Sequence, residues 1–224
     1  MPSRAETSQA CRTTPKAGAV TDASILARQR RKRNRVSALK GNGEFDRILH
    51  GFVAGDWAVC GALMRVHLSL GSNVGDRKAN LEAALDALGQ LDGVRVTARS
   101  SCYETEPVGV VDQPAFLNMA AEVETVLEPL ELYEAAKEIE KDLGREPTAR
   151  WGPRTIDIDI VLWGDRVLES DRITLPHREF RNRAFVLAPL AEIAPDAIDP
   201  VTGETVAALA ARPQAQGQAD RVQD

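Results

Sequence analysis

Arg150-Trp-Gly-Pro-Arg-Thr-Ile-Asp-Ile-Asp-Ile-Val-Leu162 is the stretch on which the reading of this chain turns. Its second half alternates: Ile156, Ile158 and Ile160 point one way, Asp157 and Asp159 the other, the period of a β-strand. Two residues along a strand span about 6.5–7 Å, so the two carboxylates stand side by side on one face. Ionised together at an effective dielectric near 20, they repel by about 2–2.5 kcal/mol. Such a pair needs either open solvent or positive charge between its members. A divalent cation fits, because Mg²⁺ takes oxygen ligands, commonly one or two carboxylates plus substrate phosphates. Arg150 and Arg154, just upstream, carry forked donors suited to phosphate oxygens. The plain alternative is an amphipathic strand with a solvated acidic face, and Asp-x-Asp alone leaves it open.

Outward from this stretch the chain divides. Residues 1–63 carry 11 Lys/Arg against 5 Asp/Glu, and the remainder carries 17 against 28, within a net charge of −5. The first 63 residues lack periodicity and contain the basic run Arg28 to Arg35, which reads as a disordered basic extension. A transit peptide, a nucleic-acid arm and a start assigned too early (Met64 directly precedes the first convincing strand) are its other readings. No apolar h-region opens the chain, and no apolar run approaches the length of a membrane span. The acidic body argues against nucleic-acid binding outside the 28–35 run. Three widely spaced cysteines, Cys11, Cys60 and Cys102, suggest neither a disulfide framework nor a zinc site and fit a reducing cytoplasm.

From Met64 the elements follow in order. Arg65 to Leu70 alternates as a half-buried strand and enters the turn Gly71-Ser-Asn-Val-Gly-Asp76, either a plain strand–helix turn or part of a site. A helix follows on the stripe Leu81, Ala84, Leu85, Leu88, then alternation returns over Val94 to Tyr103. Glu104 to Asn118, with two prolines and a glycine, reads as a long ordered loop of the kind that often carries function. Phe116 can offer a ring face and Asn118 can both donate and accept; a core Phe and a turn cap are the bland equivalents. Met119 to Val126 forms a further strand. Pro129 opens a helix with the stripe Leu132, Ala136, Ile139, Leu143, closed by Gly144. The order strand-helix-strand-strand-helix-strand predicts an α+β, ferredoxin-like split β-α-β fold, an antiparallel sheet with helices mainly on one face. Gly164-Asp165 predicts a hairpin pairing Val161–Trp163 with Arg166–Leu168, and Asn182 to Ile193 a short helix. The domain is expected over 64–211, and 212–224 as a flexible tail.

Four stretches carry a resemblance: Leu70-Gly-Ser-Asn with Gly75-Asp76; Tyr103 to Asn118; Leu143-Gly-Arg with Arg150 to Asp159; and Leu175-Pro-His177 with Arg183-Ala-Phe-Val-Leu. Together they resemble the 6-hydroxymethyl-7,8-dihydropterin pyrophosphokinase family over roughly Met64 to Ala210. The resemblance implies an ATP-dependent diphosphokinase of folate biosynthesis that moves pyrophosphate from ATP to 6-hydroxymethyl-7,8-dihydropterin and releases AMP. It implies two Mg²⁺ ions on Asp157 and Asp159, and catalytic roles for these two with Arg145, Arg150 and Arg154. It implies a pterin pocket walled by Thr105, Pro107, Val108, Gly109 and Asn118, with Phe116 and Phe185 stacking on the heterocycle. It places ATP against Glu140, Arg150, Trp151, Arg154, Ile158, Arg172, Thr174, His177 and Arg183. The two small-molecule substrates are the expected partners of a cytoplasmic monomer. Two departures stand out. Pro147 sits where the family often carries a second basic residue, and Phe116 replaces a frequent Tyr, which keeps stacking and drops a hydroxyl. A nucleotidyltransferase, suggested by Gly71-Ser72 with Asp-x-Asp, is the competing enzyme class, but its two motifs lie close together, and here 85 residues separate them. A scaffold tethered to nucleic acid by the basic extension is the non-enzyme alternative.

Overall fold

The computed structural model describes residues 63–107, 112–146, 152–213 and 218–222. The expectations for residues 1–62 and for Val108, Gly109, Pro147, Arg150 and Trp151 therefore lie outside the described residues. Strand β1 (Met64–Ser72) leads to helix α1 (Arg77–Gln90), then β2 (Val94–Arg99), β3 (Tyr103–Thr105), β4 (Phe116–Thr125), helix α2 (Pro129–Asp142) and β5 (Asp157–Trp163). This is the expected split pattern with its second strand broken in two. Ser100 makes the break: its N–H donates to the Ala120 carbonyl at 2.9 Å and its Oγ accepts the Ala120 N–H at 2.9 Å, so β2 and β3 both run along β4. The sheet order is β5-β1-β4-β3-β8, where β8 is Ala219–Arg221, with β2 also on β4, and every one of these pairings is antiparallel.

Local chemistry sets the helix ends. The Asp76 carboxylate caps α1 by accepting the Ala79 N–H at 3.0 Å. Pro129 stands at the start of α2, where its missing N–H costs nothing. Gly144 follows α2 with φ +84°, a left-handed turn that a Cβ would strain.

The two faces of the sheet differ. Val66, Leu68 and Leu70 of β1, Met119, Ala121 and Val123 of β4, and Ile158 and Ile160 of β5 join Leu81, Leu85 and Leu88 of α1 and Leu132, Ala136 and Ile139 of α2 in the main core. The opposite face is covered over part of its length by helix α3 (Ala184–Ile193), whose Val186, Leu187 and Leu190 pack on Ala120, Val161 and Leu162. Phe180 of the 3₁₀ turn Phe180–Asn182 and helix α4 (Val206–Ala210) complete this smaller core. What α3 leaves uncovered is the site. Among the described residues no helix is long and apolar enough to cross a membrane.

Three expectations are corrected. Arg166 N–H does bond the Trp163 carbonyl across Gly164-Asp165 at 2.9 Å, but the hairpin pairs β6 (Leu168–Glu169) with β7 (Thr174–Leu175), and on the outer edge of β5 the Val161 carbonyl is taken by the His177 N–H at 3.0 Å. The long loop is shorter than expected, since Phe116 to Asn118 belong to β4 and face β3. The tail expected over 212–224 is partly ordered: β8 (Ala219–Arg221) pairs with β3, and Glu192 of α3 accepts from Ser101 Oγ, Tyr103 OH and Arg221 at 3.0–3.3 Å.

Candidate active site

A cavity of about 220 Å³ opens on the uncovered face, beside the start of α3. Its floor is the alternate set of residues on three adjacent strands: Ser69 and Gly71 of β1, Asn118 of β4, Asp157 and Asp159 of β5. Each is the strand neighbour of a core residue, so one period-two pattern supplies both core and site. Gly71 is required by this crowding, because a Cβ there would lie 2.8 Å from Asn118 Oδ1.

One end of the cavity suits a flat heterocycle. Phe116 and Phe185 both line it. Asn118 is buried at 3 % exposure, and its Nδ2 donates to Thr105 Oγ1 at 2.8 Å, which fixes the amide and leaves Oδ1 free to accept. The other end is ionic. Asp157 accepts from Arg145 at 2.6 Å and pairs with Arg154, with Lys137 Nζ 3.7 Å away. The same Nζ is 3.9 Å from Asp159. Burial pushes the Asp157 carboxyl up, but Lys137, Arg154 and Arg145 outweigh it and hold the group below the ordinary carboxylate range. Asp159 goes the other way. Burial and the neighbouring Asp157 charge raise it, and Lys137, His177 and Arg183 offset them only in part. The repulsion read from sequence is therefore present and incompletely screened.

Glu140, 2 % exposed, sits beneath this cluster. It accepts from Lys137 at 2.6 Å, from Arg145, and from the Ile158 N–H at 2.7 Å. It organises the cations and meets the outer edge of β5 at the Ile158 N–H. The Ile158 side chain is 1 % exposed in the main core, and its backbone is engaged by Glu140 and Lys137. Arg183 lines the cavity and stacks over Phe185, 5.5 Å from the ring centre. His177 is outside the lining but near enough to Asp159 to feel its charge, with its backbone N–H on the Val161 carbonyl at 3.0 Å; burial lowers its pKa against the pull of Asp159. Arg172 and Thr174 do not line the cavity: Arg172 is 56 % exposed and pairs with Glu134 at 2.6 Å, and Thr174 lies in β7. Pro107 lies in the loop after β3, outside the lining.

The structure adds residues that the sequence reading passed over. Lys137 is one. Asn73 is another, 2 % exposed: its Oδ1 accepts the Arg154 N–H at 2.7 Å, and its Nδ2 donates to Gln113 Oε1 at 3.1 Å and the Pro114 carbonyl at 3.2 Å. It joins the loop before β4 to the loop before β5. Arg77 ties that first loop to α1 through Glu104 at 2.7 Å and the Ala115 carbonyl at 2.9 Å. An acid on the buried stripe of α2, four residues after Ala136, was the one available signal for Glu140 and its lysine.

Oxygen donors fit a hard divalent ion. Among the described residues no group of three or more His, Cys, Asp or Glu side chains could hold a metal alone, so Asp157 and Asp159 can supply only part of a coordination shell. That suits an ion whose remaining ligands are phosphate oxygens and water.

A metal-compatible acid pair, a ring of guanidinium groups and an aromatic slot on an α+β scaffold define an enzyme of phosphate-ester chemistry with a planar substrate. The sequence profile of the 7,8-dihydro-6-hydroxymethylpterin-pyrophosphokinase (HPPK) family matches residues 67–195, and the chain belongs to that family. It is 49 % identical over 144 residues to the 2-amino-4-hydroxy-6-hydroxymethyldihydropteridine pyrophosphokinase of Methylorubrum extorquens, a match covering 64 % of this chain and 90 % of that one. It is 50 % identical over 127 residues to the same enzyme of Bacillus subtilis, covering 57 % and 76 %. A solved Plasmodium falciparum HPPK-DHPS chain superposes with TM-score 0.54 at 19 % identity, over 68 % of this chain and 44 % of that one. That likeness supports the fold, and this chain spans less than half of the length of that structure.

Proposed function

We propose that the cavity on the uncovered sheet face carries out pyrophosphoryl transfer through the residues that line it. As a family member the chain is an ATP-dependent diphosphokinase: pyrophosphate passes from ATP to 6-hydroxymethyl-7,8-dihydropterin, giving the pterin diphosphate and AMP in folate biosynthesis. The observation that carries the residue-level reading is the convergence of Asp157 and Asp159 with Arg145, Arg154 and Lys137 at one end of a slot whose other end holds Phe116, Phe185 and Asn118.

In this reading Phe116 and Phe185 clasp the pterin ring, and Asn118 and Thr105 meet its polar edge. Asn118 is already fixed, so little freedom is lost on binding. The clasp holds the hydroxymethyl oxygen in line with the β-phosphorus, and positioning supplies a large part of the rate. ATP use implies a divalent metal; two Mg²⁺ ions on Asp157 and Asp159 are part of the proposal, and when bound they neutralise phosphate charge and favour loss of the hydroxyl proton. Arg145 and Arg154, now paired with Asp157, turn to the phosphates and offset the charge growing on the oxygen that leaves with AMP. Arg183 and His177 border the phosphates. By the resemblance, Arg150 and Trp151 share the ATP side, and Pro107, Val108 and Gly109 the pterin side. A cytoplasmic monomer completes the proposal, with light scattering as its check.

The test is product analysis with the full chain, ATP, Mg²⁺ and 6-hydroxymethyl-7,8-dihydropterin. AMP should appear one-for-one with pterin diphosphate. Free pyrophosphate with an adenylylated product would move the chain to the nucleotidyltransferases.

A further inference from the structure

Lys137 reaches both acidic residues of the site, with its Nζ within 4 Å of Asp157 and of Asp159. Its helix packs on the far face of the sheet, yet its side chain passes round the exposed edge of β5. Four oxygens surround its Nζ: Glu140 Oε1 at 2.6 Å, the Ile158 carbonyl at 3.1 Å, Asp157 Oδ1 at 3.7 Å and Asp159 Oδ1 at 3.9 Å. The Tyr133 ring lies under it, 5.6 Å from ring centre to Nζ. An ammonium held by two hydrogen bonds to groups outside the acid pair has a fixed seat, from which it faces both carboxylates. All of its oxygen neighbours are of the kind a hard cation seeks.

We infer that Lys137 is a tethered counter-cation that competes with divalent metal for the Asp157–Asp159 pair, so that the enzyme takes up metal chiefly together with nucleotide. The inference rests on the reading of Asp157 and Asp159 as metal ligands. Without ATP, a metal ion entering between the carboxylates meets a positive charge that is anchored by Glu140 and the Ile158 carbonyl. With ATP present, the triphosphate adds negative charge that outweighs the lysine, and the metal is then welcome. Lys137 would thus be a positioning residue: it holds two mutually repelling carboxylates aimed at one place before any metal arrives, and it keeps metal from occupying the site unproductively.

The experiment is Mn²⁺ binding to the full chain without nucleotide, read from the electron paramagnetic resonance of free Mn²⁺. Wild type should bind weakly. Lys137→Met, which keeps the length of the side chain and removes its charge, should bind at least about tenfold more tightly. Lys137→Arg should restore weak binding. With ATP added, the difference between Lys137→Met and wild type should shrink. Equal or weaker Mn²⁺ binding by Lys137→Met, in a protein that melts as wild type does, would overturn the inference. Asp159→Asn in the Lys137→Met background separates the two levels. If it abolishes the tightened binding, the acid pair is the seat of the metal. If tight binding persists, the metal reading of the pair fails and the inference falls with it.

Discussion

The two faces of strands β1, β4 and β5 are made from the same residues counted odd and even, and they obey opposite rules. Leu68, Leu70 and Ile158 are buried among apolar neighbours and satisfied by contact alone. Ser69, Gly71, Asp157 and Asp159, their immediate neighbours, stand at a cavity in which like charges face one another. The first face is where folding free energy is gained. The second stores some of it, because burial and Asp157 together raise the Asp159 carboxyl. The stability of this fold and its chemistry are therefore separable by a shift of a single residue along one strand.

That separation can be broken in graded steps. The largest effect belongs to the acids. Asp157→Ala and Asp159→Ala should each lower AMP formation by more than about 1,000-fold while the melting temperature moves by less than about 3 °C; chromatography and a thermal melt check both halves. Strong residual turnover at saturating Mg²⁺ would remove the carboxylates from the mechanism. One residue along, Leu70→Ala should do the reverse. It should cost about 3 kcal/mol in urea unfolding, with the specific activity of the folded fraction kept to within about twofold. A smaller loss is expected for Arg154→Ala, about 30-fold in kcat with the pterin KM nearly unchanged. An unaltered kcat would show that its ion pair with Asp157 is structural only.

The smallest effect is a pH dependence at the end of the site face. His67 is 5 % exposed and bonds Glu122 at 3.2 Å. Burial lowers its pKa from 6.5, more than Glu122 raises it. The unfolded chain therefore binds a proton more readily than the folded one. Stability contributed by neutral His67 is full above pH 6.5 and declines as pH falls from there toward the lowered folded value. His67→Gln should flatten the urea midpoint across that interval; a slope identical to wild type would assign the pH dependence to other groups.

How much was legible in the sequence follows the same division. Period-two and helical stripes announced β1, β5, α1 and α2, because a buried face leaves its mark at every second or every third and fourth residue. The acid pair was legible for the same reason: two charges on the beat of a strand. Lys137 was not. A lysine on a helix reads as solvated, and only the position of β5 at the sheet edge brings it within reach of the acids. Asn73 looked like one more turn residue, since the two loops it joins come together only in three dimensions. Asp199, 0 % exposed, holds Arg181 through bonds of 2.6 and 2.7 Å, yet it sits in a Pro- and Asp-rich stretch with no period at all. β8 has no strand pattern, because what makes it a strand is the vacant edge of β3.

The way β5 is finished has a consequence for how these molecules behave in company. β5 is the last strand on its side of the sheet, and a strand border of this kind is a template on which a strand from another chain can add. Here three outward groups that could recruit a stranger are taken: the Ile158 N–H by Glu140, the Ile158 carbonyl by Lys137, and the Val161 carbonyl by the N–H of His177. The side chains gathered for chemistry thus also serve as a guard against self-association. A variant that empties this corner, such as Glu140→Ala, can fail by clumping before it fails as a catalyst, and a turbidity trace would register that ahead of any activity assay.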